Sequence, residues 1–200
     1  LGHWLSYSQG SEFSKKEWEN LKVITVPNFQ NKLFVGIKYG VDGKHVAMSI
    51  ATKVDEKIFV ESIDCQSVRN GNTWIISFLK EADIEKVVID GSGSQQILSD
   101  EIKDYGIKLK PVLPKVSDVV VANNMFEQAV TSSKNICHND QPSLKQIVTN
   151  CKRRAIGTNG GFGFKAMMEE HEIALLDSVI LAHWACATYK GVKKKQKISC

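Results

Sequence analysis

The chain has 200 residues, 42% of them hydrophobic and 24% charged, with a formal net charge of +4. That length makes about one domain with a sizeable core, and no apolar run approaches the roughly 18 residues of a membrane span, so no membrane is expected. The mild positive charge permits nucleic acid as a partner without demanding it.

In chain order, residues 1–32 read as irregular, with one short helix at Ser14–Leu21 whose Ser14 and Glu17 have capping-box spacing. Leu33–Tyr39, His45–Thr52 and Lys57–Asp64 are short β-rich runs, and Asp42-Gly43 between the first two signals a type I′ hairpin. Together they predict an antiparallel meander. The period then changes. Trp74, Ile75, Phe78 and Leu79 form a helical stripe, and Lys86-Val87-Val88-Ile89, a β-branched run ending in Asp90-Gly91, reads as a buried central strand. Gln95–Tyr105 predicts a helix and Ile107–Val112 a short strand; Ser117–Val130 and Gln141–Asn150 predict two more helices. Gly157–Lys165 suggests a hairpin beside Lys152-Arg153-Arg154, Glu172–Tyr189 is a long apolar helix, and residues 191–200 are a basic tail. Three antiparallel strands followed by alternating helices and strands make an α/β fold with a mixed sheet.

Leu1-Gly2-His3-Trp4 lacks the basic and apolar regions of a signal peptide, and the missing initial methionine leads us to expect a piece of a longer chain. Five scattered cysteines without a C-x-x-C argue against a disulfide framework or zinc site and suit a reducing cytoplasm. His183 and Cys186, spaced H-x-x-C, read as core residues, since a buried cysteine is usually a small hydrophobe. No Walker A motif is present, so these residues alone should not hydrolyse ATP.

Two carboxylates stand out. Asp90 follows a buried strand and precedes Gly91-Ser92-Gly93-Ser94, where sites gather in open α/β sheets. Its other reading is a plain turn. Asp177 lies inside the apolar run IALLDSVILAHWACA, and a buried acid is costly unless paired or bound to metal. An exposed helix face or a buried ion pair is its other reading. If the two converge, their repulsion near 4 Å costs roughly 4 kcal/mol at an effective dielectric of 20. A magnesium or manganese ion relieves that cost, which suggests metal-assisted phosphodiester chemistry.

The segments FVGIKYGVDGKHVAMSIA, VVIDGSGS, VVVANNMFEQAV, QPSLKQIVTNCKRR and ALLDSVILAHWACA, in this order and spacing, resemble the C-terminal nuclease domain of the large terminase subunit of tailed bacteriophages. Leu1–Trp4 resembles the end of the preceding motor segment. The resemblance implies a ribonuclease H-like mixed five-stranded sheet flanked by helices. Residues 1–32 would then be a linker or motor-domain end, 33–190 the nuclease domain and 191–200 a tail. It further implies an endonuclease that cuts concatemeric double-stranded viral DNA during genome packaging, in the cytoplasm of the infected bacterial host. Two Mg2+ or Mn2+ ions would serve it, and an N-terminal ATPase motor, the small terminase subunit and the portal would be its partners. Asp90 matches the family's fourth-strand acid and Asp177 its helical acid. Lys38 stands where the first-strand acid is usual, which makes Asp42 the nearest replacement for catalysis and metal binding.

Asp42 keeps two readings. Four extended residues span roughly 13 Å, so a straight strand would carry its carboxylate away from the place of Lys38, whereas a turn that folds back would not. Asp64, at the end of the third predicted strand, ranks lower. Lys38 either holds a scissile phosphate or pairs with Asp90. Lys152, Arg153, Arg154 and Lys165 are the expected contacts to the DNA backbone, or else a solvated basic face. The rival functions are another ribonuclease H-like nuclease of resolvase or transposase type, and a catalytically weak DNA-binding or docking module.

Overall fold

The structure, a computed structural model, describes residues 10–191. Leu1–Trp4 and the lysines of the tail lie outside the described residues. Five strands form one sheet: β1 (Leu33–Tyr39), β2 (His45–Val54), β3 (Lys57–Ser67), β4 (Ile84–Asp90) and β5 (Ile136–His138), in the order β4-β1-β2-β3-β5. The first three are an antiparallel meander, and β4 lies parallel to β1 while β5 lies parallel to β3.

Alternation along the strands divides the core in two. Val35, Ile37 and Tyr39 of β1, with Val46, Met48 and Ile50 of β2, pack under α2 (Thr73–Glu81) and α3 (Ser94–Asp104). The opposite face of the same strands carries small residues: Gly36, Ala47, Ser49 and Ala51. Across it lies α6 (Ile173–Ala187), flanked by α4 (Val116–Thr131) and α5 (Pro142–Val148). The small residues let α6 approach closely. A Cβ on Gly36 would stand 2.1 Å from the Ser178 carbonyl oxygen and 2.5 Å from the Ala182 nitrogen. The hydroxyls of Ser49 and Ser178 meet at 2.6 Å, so the buried polar groups under the helix satisfy each other. A separate hairpin, β6 (Cys151–Ile156) with β7 (Gly161–Ala166), packs Phe164 against Phe13 at 5.2 Å between ring centres.

Two expectations about the sheet need correction. Ile107–Val112 is not a strand of the sheet: only Val112 bridges to it, exchanging backbone hydrogen bonds with Val87 and Ile89. Pro111 has no N–H to extend that ladder. The fifth strand is instead Ile136–His138, three residues long and too short to show a period. The β1–β2 connection is longer than a two-residue type I′ turn. The Gly43 N–H donates to the Gly40 carbonyl at 3.0 Å, the Gly40 N–H donates to the His45 carbonyl at 2.8 Å, and within this turn Gly43 alone takes positive φ. A type I′ turn requires positive φ at both central residues, and Asp42 does not adopt it.

The segment before Leu33, read as a linker, packs closely where it is described. The helix α1 (Lys15–Glu19) has the capping box expected of Ser14 and Glu17, and Phe13, Trp18 and Leu21 are buried in the α6 core. Trp18 stacks on His138 with ring centres 3.9 Å apart. The Asp140 N–H donates to His138 Nδ1, so the proton sits on Nε2, which donates to the Trp18 carbonyl at 2.8 Å. Trp18→Ala should therefore cost about 3–5 kcal/mol. A melting temperature within a degree of the parent would show that this segment is no part of the domain's core.

Candidate metal and DNA site

The parallel pairing of β1 and β4 sets Lys38 beside Asp90, both on the face that α6 covers. Lys38 Nζ donates to Asp90 Oδ2. Above them the close seat of α6 brings in Asp177, one residue before the Ser178 that rests over Gly36. Lys38, Asp90 and Asp177, with Asn123 of α4 and Arg154 of β6, line one cavity of about 20 Å3. A space of that size holds about one water-sized guest.

Burial pushes the Asp177 carboxyl up to about 6; the cations Lys38 and Arg154 pull it back, while the negative charge of Asp90 adds to the rise. Arg154 is anchored through Nε to the Phe164 carbonyl at 3.1 Å. Among the described residues the rest of its guanidinium makes no hydrogen bond within the protein and faces this cavity. Asn123 is 3% exposed; its Nδ2 donates to the Val119 carbonyl at 2.8 Å, and its Oδ1 is buried without a partner. An orphaned carbonyl oxygen beside two carboxylates is a hard donor set, suited to a divalent cation of magnesium or manganese type. Sequence reasoning missed Asn123. Its signal was Asn123-Asn124 inside VVVANNMFEQAV, two poor helix formers in an apolar helix.

The other expected residues fall elsewhere. Asp42 folds back from the turn, but it does not line this cavity: Oδ1 accepts from the Lys44 N–H at 2.9 Å, and a ligand atom of Asp42 lies within 4.8 Å of His45 and Glu172. Asp64 accepts from the Cys65 N–H and from Gln66 Nε2, also away from the cavity. His183 and Cys186 are buried, and burial alone pushes the His183 imidazole down to about 4. Arg153 is engaged within the protein. It clasps Glu127 at 2.6 Å, pairs with Glu12 at 3.0 Å and lies 4.0 Å over the Phe162 ring. Lys152 and Arg154 alternate with it, and Lys152 stands directly opposite Lys165 in the hairpin. Like charges set opposite each other repel, and a bound anion would relieve that.

A meander of three antiparallel strands, a parallel fourth strand ending in an acid and a long helix across one face make a ribonuclease H-like fold. Solved structures with this fold include the HK97 bacteriophage large terminase, at TM-score 0.64 and 13% identity over 86% of this chain and 43% of that one. The large terminase nuclease of the thermophilic phage G20c, solved with bound magnesium, matches at TM-score 0.62 and 14% identity over 92% of this chain and 100% of that one. The same G20c nuclease solved with bound cobalt matches at TM-score 0.59 and 12% identity, again over 92% and 100%. This chain thus has the fold of the large terminase nucleases, and it spans less than half the length of the HK97 chain. No family model and no curated protein sequence matches it.

Proposed function

We propose that this chain is the nuclease domain of a phage-type large terminase, a divalent-metal-dependent endonuclease that cuts concatemeric double-stranded DNA during genome packaging. The observation that carries the reading is the convergence of Asp90 and Asp177 with Lys38 and Arg154 on one small cavity of a terminase nuclease fold. Asp90, Asp177 and the Asn123 carbonyl would hold Mg2+ or Mn2+. A bound ion would activate water and neutralise charge on the leaving oxygen. The cavity volume favours one ion at rest beside Lys38, whereas two-metal chemistry would add a second once DNA is present.

Lys38 and Arg154 present positive charge to a scissile phosphate, Arg154 with the planar geometry that suits phosphate oxygens. Lys152 and Lys165 extend that charge along the hairpin and give the sequence-independent grip such a nuclease needs. Arg153 acts chiefly by holding the hairpin to Glu127. In this reading residues 33–190 carry the nuclease sheet and site, 1–32 lead from an ATPase motor and pack Phe13, Trp18 and Leu21 into the nuclease core, and 191–200 are a basic tail. The small terminase subunit and the portal are the further partners, in the cytoplasm of a bacterial host.

The Lys38–Asp90 ion pair favours one alternative, a DNA-binding module without cleavage. One experiment decides: supercoiled plasmid incubated with the chain and titrated Mn2+ should be nicked and linearised, and EDTA should stop it. DNA binding without any Mn2+-dependent cleavage would establish the silent module instead.

The pH profile gives a second check. Asp177 must be ionised to hold a cation, and its carboxyl titrates at about 6. At limiting Mn2+, cleavage should therefore rise about tenfold per pH unit below 6 and level off above it. A flat profile from pH 5 to 7.5 would remove Asp177 from the centre.

A further inference from the structure

We infer that Asp42, His45 and Glu172 form a second divalent-cation site, separate from the cavity of Asp90 and Asp177. The three come from different elements: the β1–β2 turn, the first residue of β2 and the N-cap of α6. One ligand atom of each lies within 4.8 Å of the other two. His45 Nδ1 stands 2.8 Å from Glu172 Oε1, yet this buried nitrogen makes no hydrogen bond. Two donor atoms this close with no hydrogen bond between them have the relation of two ligands to one ion. Donors bound at about 2.0–2.2 Å lie about 3 Å apart.

Glu172 forgoes an ordinary alternative, and Asp42 is held in place by its own turn, where Oδ1 accepts from the Lys44 N–H. Glu172 occupies an N-cap, where a side-chain oxygen commonly accepts from a free helix N–H, but it makes no capping bond and turns to His45. The Asp42 carboxylate folds back over Gly40, where a Cβ would come within 2.9 Å of its Oδ1, so the missing side chain at Gly40 makes room for it. Among the described residues no lysine or arginine side chain pairs with Asp42 or Glu172. Two carboxylates without a lysine or arginine partner, set beside an imidazole, leave negative charge for an ion to neutralise.

One imidazole with two carboxylates suits a borderline transition ion, Zn2+, Mn2+ or Co2+, better than magnesium, which prefers oxygen alone. Three protein ligands leave coordination positions open to water. Such an ion ties the first turn of α6 to the β1–β2 turn, five residues before Asp177 on the same helix. Its role is to steady α6 rather than to touch the DNA.

The test is a Co2+ titration of the whole chain, followed by visible absorption and by the thermal shift that Co2+ induces. The double variant Asp90→Asn/Asp177→Asn removes the other centre and should keep one bound equivalent. Adding His45→Gln to that background should weaken the remaining Co2+ at least about tenfold and abolish the thermal shift. Asp42→Asn, at an exposed turn, should do the same without disturbing the helix cap. Unchanged Co2+ affinity in both the His45→Gln and Asp42→Asn backgrounds would overturn the assignment. So would loss of all binding in the Asp90→Asn/Asp177→Asn protein. Neither result depends on cleavage, so a silent nuclease centre leaves this test intact.

Discussion

Asp177→Asn should melt at a higher temperature than the parent at pH 7.5 while losing cleavage at least about a hundredfold. On the proposed function, the loss of activity follows from removing a charged metal ligand whose contribution is several kcal/mol. The gain in stability follows from the carboxyl's folded pKa of about 6, above the ordinary value of 3.8. A raised acid pKa means that the folded chain binds the proton more tightly than the unfolded chain does. Its stabilising effect is therefore full below about pH 4 and fades as pH rises through 6, beyond which the fold carries a poorly solvated charge. A tenfold change in proton affinity corresponds to about 1.4 kcal/mol, so the uncharged amide should recover about 1–3 kcal/mol. In a chain of this size that is a rise of several degrees. Asp90→Asn should lose activity as well, but it leaves Lys38 unpaired and should lower the melting temperature. If Asp177→Asn melts at or below the parent's temperature in metal-free buffer, the carboxylate is not the strained group described here.

Gly36→Ala is expected to have the second large effect, although residue 36 does not line the cavity of Asp90 and Asp177. Its Cβ would meet backbone atoms of α6 at 2.1 and 2.5 Å, and a backbone cannot rotate aside. The helix must lift or slide, and overpacking of this kind costs about 1–3 kcal/mol or more. Asp177 rides on that helix, so its distance from Asp90 changes with it. A displacement of about 1 Å at a reacting centre lowers rates about a hundredfold. Cleavage should thus fall by about that factor in protein that still folds by circular dichroism. Gly10→Ala, with nothing within 4 Å of the added carbon, serves as the control. Full activity of Gly36→Ala would show that the seat of α6 does not set the site.

The meander, the buried fourth strand and the long apolar helix were legible because their periods are long and consistent. Asp90 and Asp177 were legible because each is an acid in apolar surroundings. What escaped reading depends on contacts between distant segments. Ile136–His138 becomes a strand only because β3 offers it an edge, and Ile107–Val112 fails to become one because of Pro111. The neighbourhood of Asp42 hinges on the turn between β1 and β2 and on the cap of α6, which lies far along the chain. Trp18 looked like part of a linker because a five-residue helix has too little pattern to reveal the stack on His138.

Lys38 changes what the centre requires of the rest of the chain. Three carboxylates in one small cavity would repel one another until a metal arrived, and folding would be tied to metal supply. Here two acids face two cations, Lys38 and Arg154, so the ionised site sums to zero charge before any ion binds. The domain can therefore finish folding in a metal-poor environment and wait there intact. On the proposed function, chelation should switch the chemistry off while the scaffold stays assembled.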